Sequence, residues 1–193
     1  MNFLAHALLS EPFVHSLVGN LAGDFVKGPL VPSVLHPRVI DGVRRHRRID
    51  ALSDTHEGYS TLRAIFPPGR RRYAGPVLDV ILDYYLWRNW SQCSTWDRNN
   101  FVEDVYNALE HCVDLMPPLF RQAFPRLRDA DWLRAATSLA GLERSLTRMG
   151  ARLRRPVRLQ DDLPALLDEP LLEREMLRTF LAIQLQIEDA KGP

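Results

Sequence analysis

The sequence predicts a single all-α domain. Apolar residues recur at three- and four-residue spacing along most of the chain, and no stretch alternates convincingly between apolar and polar residues. Proline stands where helices can begin, at Pro12, Pro37 and Pro76, because its fixed φ suits the first turn. The breaks GPLVPSVLHP (28–37), PPGRRRYAGP (67–76) and Met116-Pro117-Pro118 are too short or too apolar to link domains. One compact multi-helix domain over 1–193 is therefore expected.

The helices are expected in order near 2–9, 13–27, 37–55, 57–66, 76–92, 98–115, 118–125, 130–136, 138–153, 161–168 and 170–189. With 193 residues, 46% hydrophobic and 25% charged, the chain is long and apolar enough to bury a core, which excludes a disordered or collagen-like protein. The formal net charge of +1 gives no bulk pull towards nucleic acid or membrane, and neither is expected as a partner. Twenty-three of the basic residues are arginines and only Lys27 and Lys191 are lysines. Arginine's planar fork of donors favours phosphate and carboxylate partners, although a GC-rich genome gives the same skew. Cys93 and Cys112 make neither a disulfide framework nor a metal motif, and read as buried thiols. No signal peptide and no apolar run long enough to span a membrane is visible, so a cytoplasmic protein is expected.

Polar residues on apolar helix faces mark the candidate site. At ~100° per residue, Val39, Val43, His46, Asp50 and Asp54 fall on one stripe, which changes from core-forming to ligand-type residues along its length. His46 and Asp50 are one turn apart and can share one metal or phosphate, or simply bond to each other. Asp79 and Asp83, also one turn apart, lie in the apolar run VLDVILDYYLW. Two carboxylates in so dry a place call for protonation, a salt bridge such as one to Arg88, or a cation. Asp24 and Asn20 interrupt another apolar face, and His6 sits within NFLAHALL, where a satisfied core histidine is the plainer reading. Mixed carboxylate and imidazole groups suit Mn²⁺, Mg²⁺ or Fe²⁺ better than the thiolate-rich sites of zinc.

The segments MNFLAH, GNLAGDFVKG, HRRIDALSD and RRRYAGPVLDVILDYYLWRNWS together resemble the acyl carrier protein phosphodiesterases. The resemblance is close over residues 1–92 and looser from 97 to 193, where GARLRRP (150–156) is similar. It implies a helical core distantly related to the HD phosphohydrolases and a divalent metal, typically Mn²⁺. It also implies hydrolysis of the phosphodiester joining 4′-phosphopantetheine to a serine of acyl carrier protein. The matching positions are His6, Asn20, Asp24, His46, Arg47, Arg48, Asp50, Asp79 and Asp83. Asp24, His46, Asp50, Asp79 and Asp83 are then the expected metal ligands. His6 is a further ligand or proton carrier, and Arg47 or Arg48 neutralises phosphate.

The pattern departs at two places. Family members read Asp-His-Phe and then Arg-His-Trp where this chain has Asp83-Tyr84-Tyr85 and Arg88-Asn89-Trp90. The alternatives are thus a helical module that binds the carrier or phosphopantetheine without cutting it, or a small-molecule phosphohydrolase. Arg70, Arg71 and Arg72, and separately Arg152, Arg154 and Arg155, are the expected contacts for an acidic carrier.

Overall fold

The computed structural model describes residues 1–32 and 34–189, and helix boundaries in it follow the capping chemistry of the sequence. Helices α1 (Phe3–Leu8) and α2 (Val14–Leu21) come first, followed by a 3₁₀ turn at Gly23–Phe25. Helix α3 (Pro37–Thr55) starts on its proline, with the His36 ring accepting the Arg38 N–H. His56 then caps α4 (Glu57–Ile65) by accepting the Gly58 N–H. After a 3₁₀ turn at Arg71–Tyr73 come α5 (Ala74–Arg88) and the single turn α6 (Trp90–Cys93). Asp97 caps α7 (Arg98–His111) through the N–H groups of Asn99 and Asn100. Helices α8 (Pro118–Asp129), α9 (Leu139–Ala151), α10 (Leu163–Leu167) and α11 (Leu172–Asp189) complete the chain, and no strand occurs among the described residues.

Helix α5 is the axis of the molecule. It is apolar on nearly every side, so it can be stable only where other helices cover it. Helices α1, α4, α9 and α11 do so, and their buried faces form one contiguous core. Helix α2 lies tightly along α3, because Gly19 and Gly42 meet across the crossing. A Cβ at Gly19 would run into the Val39 carbonyl, and one at Gly42 into the Ser16 carbonyl. This close approach brings Asn20 against His46, on which the site depends.

Several expected boundaries shift. The helix expected over 13–27 stops at Leu21, and the one over 76–92 breaks at Asn89. The segment 130–136 is a lone 3₁₀ turn at Trp132–Arg134, entered through Asp131 in the left-handed region at φ 44°. Helix α8 runs past Pro125 to Asp129, with the proline on the exposed side of the helix. No helix among the described residues is long and apolar enough to cross a membrane.

Candidate functional site

Asn20 organises the centre. It is fully buried near the end of α2, and each of its polar groups is used. Its Oδ1 accepts from His6 Nδ1 at 2.9 Å, and its Nδ2 donates to the His6 carbonyl at 2.8 Å and to Ser10 Oγ at 3.0 Å. Its backbone carbonyl accepts from His46 Nδ1 at 2.8 Å. A carbonyl oxygen can only accept, so both imidazoles carry their proton on Nδ1 and turn Nε2 the other way. The two rings stack with centroids 4.1 Å apart. Gly23 lies flat against the His46 ring, where a Cβ would overlap it, just past the end of α2.

Both Nε2 atoms face Asp50. His6 Nε2 lies 3.2 Å from Asp50 Oδ1, and His46 Nε2 lies 3.1 Å from Oδ2. Asp24, mostly exposed on the 3₁₀ turn, puts Oδ1 3.7 Å from His46 Nε2. The ammonium of Met1, completely buried, sits 2.8 Å from Asp50 Oδ1 and 3.5 Å from Asp79 Oδ1. Tyr59 donates its hydroxyl to Asp79 at 3.5 Å.

The electrostatics follow from this crowding. Burial drives the His6 imidazole down to about 4, so it is neutral. Burial also opposes charge on His46, but the nearby Asp24 and Asp50 carboxylates outweigh it and carry this ring up to about 9. Burial works against the Asp50 carboxylate too, and the two histidines and the Met1 ammonium overcome it, holding Asp50 well below the usual carboxylate range. The imidazole of His46 beside it lowers Asp24, whereas burial raises Asp79. A neutral His6 thus aims an Nε2 lone pair at a carboxylate oxygen. Two acceptors at 3.2 Å repel unless a cation lies between them.

The sequence-predicted residues part company here. His6, His46 and Asp50 bring ligand atoms within 4.8 Å of one another, with Asp24 at the rim and Asp79 reached through the Met1 ammonium. Asp83 stands apart. It is fully buried, and its two oxygens accept the N–H groups of Leu4 and Ala5, each at 3.2 Å. It caps the start of α1, and burial pushes its carboxyl up to about 7. Arg47 is turned to the Val26 and Gly28 carbonyls, and Arg48 is exposed two residues from Asp50, round the far side of α3. Arg70 pairs with Asp162. Arg71, Arg72, Arg152, Arg154 and Arg155 are exposed. Tyr84, which accepts from Arg88, and Asn89, which donates to Glu173, fill the positions where the resemblance expects histidine. The cluster around Asp50 is built without either.

Sequence reasoning missed two contributors. The Met1 ammonium carries no sequence signal, and Tyr59 looks like any core aromatic. Asn20 was visible as a polar break in an apolar face, but nothing local assigns it two imidazoles. An apolar groove bounded by Phe13, Trp96, Phe101 and Leu185 contains none of the candidate residues.

An all-helical body that holds two oriented imidazoles against a carboxylate where α1, α2 and α3 meet defines the class: a helical protein with a preformed polar centre of metal-ligand type. Comparison with known proteins makes it particular. The family model described as acyl carrier protein phosphodiesterase matches residues 1–183, and the chain belongs to that family. It is 35% identical over 163 residues to the acyl carrier protein phosphodiesterase of Enterobacter sp. (strain 638), covering 83% of each chain. It is 34% identical over 153 residues to that of Photorhabdus laumondii, covering 79% of this chain and 77% of the other. The corresponding protein of Escherichia coli O9:H4 is 35% identical over 162 residues, covering 83% of each. No solved structure matches the chain.

Proposed function

We propose that this protein is a metal-dependent hydrolase that releases 4′-phosphopantetheine from the serine of holo-acyl carrier protein in the cytoplasm. The observation that carries the reading is the pair of Nε2 atoms fixed on Asp50, one of them a bare lone pair facing a carboxylate. Such a donor set fits a divalent cation, since one ion satisfies all three groups and replaces the proton on His46. Mn²⁺ is the ion the family resemblance favours, with Mg²⁺ or Fe²⁺ as substitutes. His6, His46 and Asp50 would hold it, with Asp24 at the open rim.

A divalent cation supplies polarisation of the phosphoryl oxygens and a lowered pKa for water. The chain's own groups do the rest. Asn20 keeps both imidazoles in the ligating tautomer, and buried apolar neighbours keep the rings in place. Water adds to phosphorus, the bond to the serine oxygen breaks, and that oxygen leaves with a proton. Asp79, hydrogen-bonded by Tyr59 and raised by burial, is the group beside the centre suited to carry a proton. Kinship with the HD phosphohydrolases belongs to the same reading, with His46 and Asp50 one helical turn apart rather than adjacent.

The test is intact mass spectrometry of holo-acyl carrier protein incubated with the protein and Mn²⁺. Loss of the phosphopantetheine mass that EDTA prevents is expected; an unchanged carrier overturns the reading. The Tyr84 and Asn89 departures favour one second reading, a module that binds the carrier without cutting it. Carrier binding without mass loss would support that instead.

A further inference from the structure

The fold joins two arginine clusters that lie some eighty residues apart in sequence. Arg70 grips Asp162 through Nε at 3.0 Å and Nη2 at 2.7 Å, and Nη2 also donates to the Arg158 carbonyl at 2.8 Å. The Val157 N–H reaches the Gly150 carbonyl at 3.2 Å, folding residues 151–156 into a closed loop beside that clasp. Arg152, Arg154 and Arg155 stand exposed on this loop, and Arg71 and Arg72 stand exposed on the turn that Arg70 anchors. The Arg72 guanidinium lies over the Tyr73 ring, 4.7 Å from its centroid, which braces it. Arg144 and Arg148, four apart on α9, extend the row to Arg152.

Asp161 and Asp162 are engaged by Arg158 and Arg70. Among the described residues, none of Arg71, Arg72, Arg144, Arg148, Arg152, Arg154 or Arg155 has a carboxylate partner, whereas Arg63, Arg128, Arg134 and Arg178 each have at least one. One end of the face leads into the helix that carries Asp79. The Arg71–Tyr73 turn runs straight into α5, and Asp79 lies about two turns along that helix from Arg72.

We propose that this single face docks an acidic protein surface and presents it to the centre, with Arg70 positioning the face rather than touching the partner. The hydrolase reading enters only in naming the acyl carrier protein as that partner. An unpaired arginine row attracts an acidic surface through a long-range field that salt screens.

Titration of fluorescently labelled holo-acyl carrier protein tests it. R72E/R154E/R155E should raise Kd about tenfold or more at low ionic strength and much less at about 0.5 M salt. R126E, a reversal of an exposed arginine on α8, should leave Kd unchanged. The milder R72Q/R154Q/R155Q, checked for native helicity by circular dichroism, should fall between wild type and the reversed variant. Wild-type Kd in the two triple variants, an equal loss in R126E, or no binding by the wild type overturns the proposal. Binding that depends on the face while the carrier's mass stays unchanged leaves the proposal standing and overturns the hydrolase reading.

Discussion

Asn20 fixes the protons on two rings at once, so its removal has a cost in stability and another in ligation. Asn20→Ala leaves His6 Nδ1 without its acceptor in a site that excludes water. A loss of about 1–3 kcal/mol in urea unfolding is expected from the orphaned donor. Released rings also bind metal less well, and an affinity for Mn²⁺ lower by about 10–100-fold is expected by calorimetric titration. Asp83 behaves differently, because its oxygens serve backbone N–H groups. Asp83→Asn replaces one accepting oxygen with an NH₂ that cannot accept, so a loss of about 1–3 kcal/mol is expected, with Mn²⁺ affinity unchanged. The pH dependence has a definite sign. With its carboxyl raised to about 7 in the fold, Asp83 keeps a proton that the unfolded chain has lost above ~4. Its contribution is full below ~4 and disappears as pH rises through about 7. The stability difference between wild type and Asp83→Asn should therefore shrink over this window in denaturation curves. A difference that grows with pH would contradict the burial-raised carboxyl of Asp83.

Among the elements, the α2–α3 crossing is the joint on which the site rests. Replacing a mid-helix glycine by alanine normally stabilises by about 1 kcal/mol. At Gly42 the sign should reverse, since the new methyl meets the Ser16 carbonyl and the Gly19 backbone. Gly42→Ala should destabilise by about 2 kcal/mol or more, and it should weaken metal binding by shifting Asn20 away from His46. An unaltered or raised melting temperature would show that the helices can separate freely. The same scale shows how much was legible. The 37–55 helix was readable to the residue, because Pro37 starts it and apolar spacing sustains it. The 13–27 helix was not: it gives way after Leu21 to a 3₁₀ turn at Gly23–Phe25, where Gly23 packs on a ring from another helix, a contact that helical period does not reveal. Pro125 misled in the opposite sense. A proline ends a helix reliably only where its missing N–H cannot be made good, and here it faces solvent.

At the scale of the molecule, a cation that binds only the folded centre should stabilise the whole chain. Mn²⁺ at about 100 times its dissociation constant should add about 2.7 kcal/mol, seen as a higher melting temperature. His46→Ala and Asp50→Ala should abolish this shift, while Asp83→Asn should keep it. A shift that survives loss of Asp50 would place the ion elsewhere.

The sequence by itself determined the helical class, the order of the helices, and most of the polar residues that interrupt apolar faces: His6, Asn20, His46, Asp50, Asp79 and Asp83; Asp24, expected on such a face, stands mostly exposed on a 3₁₀ turn. These follow from composition and from a period of ~3.6 residues, both of which are local properties. Only the tertiary structure decided which of them share a centre. Asp79 and Asp83 lie on the same face of one helix, yet one meets the Met1 ammonium and the other the start of α1. It likewise decided that Arg70 is a clasp and that two remote arginine clusters form one face. The reason is geometric. Helical period fixes the direction in which a side chain leaves its own axis, whereas its partner is set by how that axis packs against others, and here the partners are up to 92 residues away.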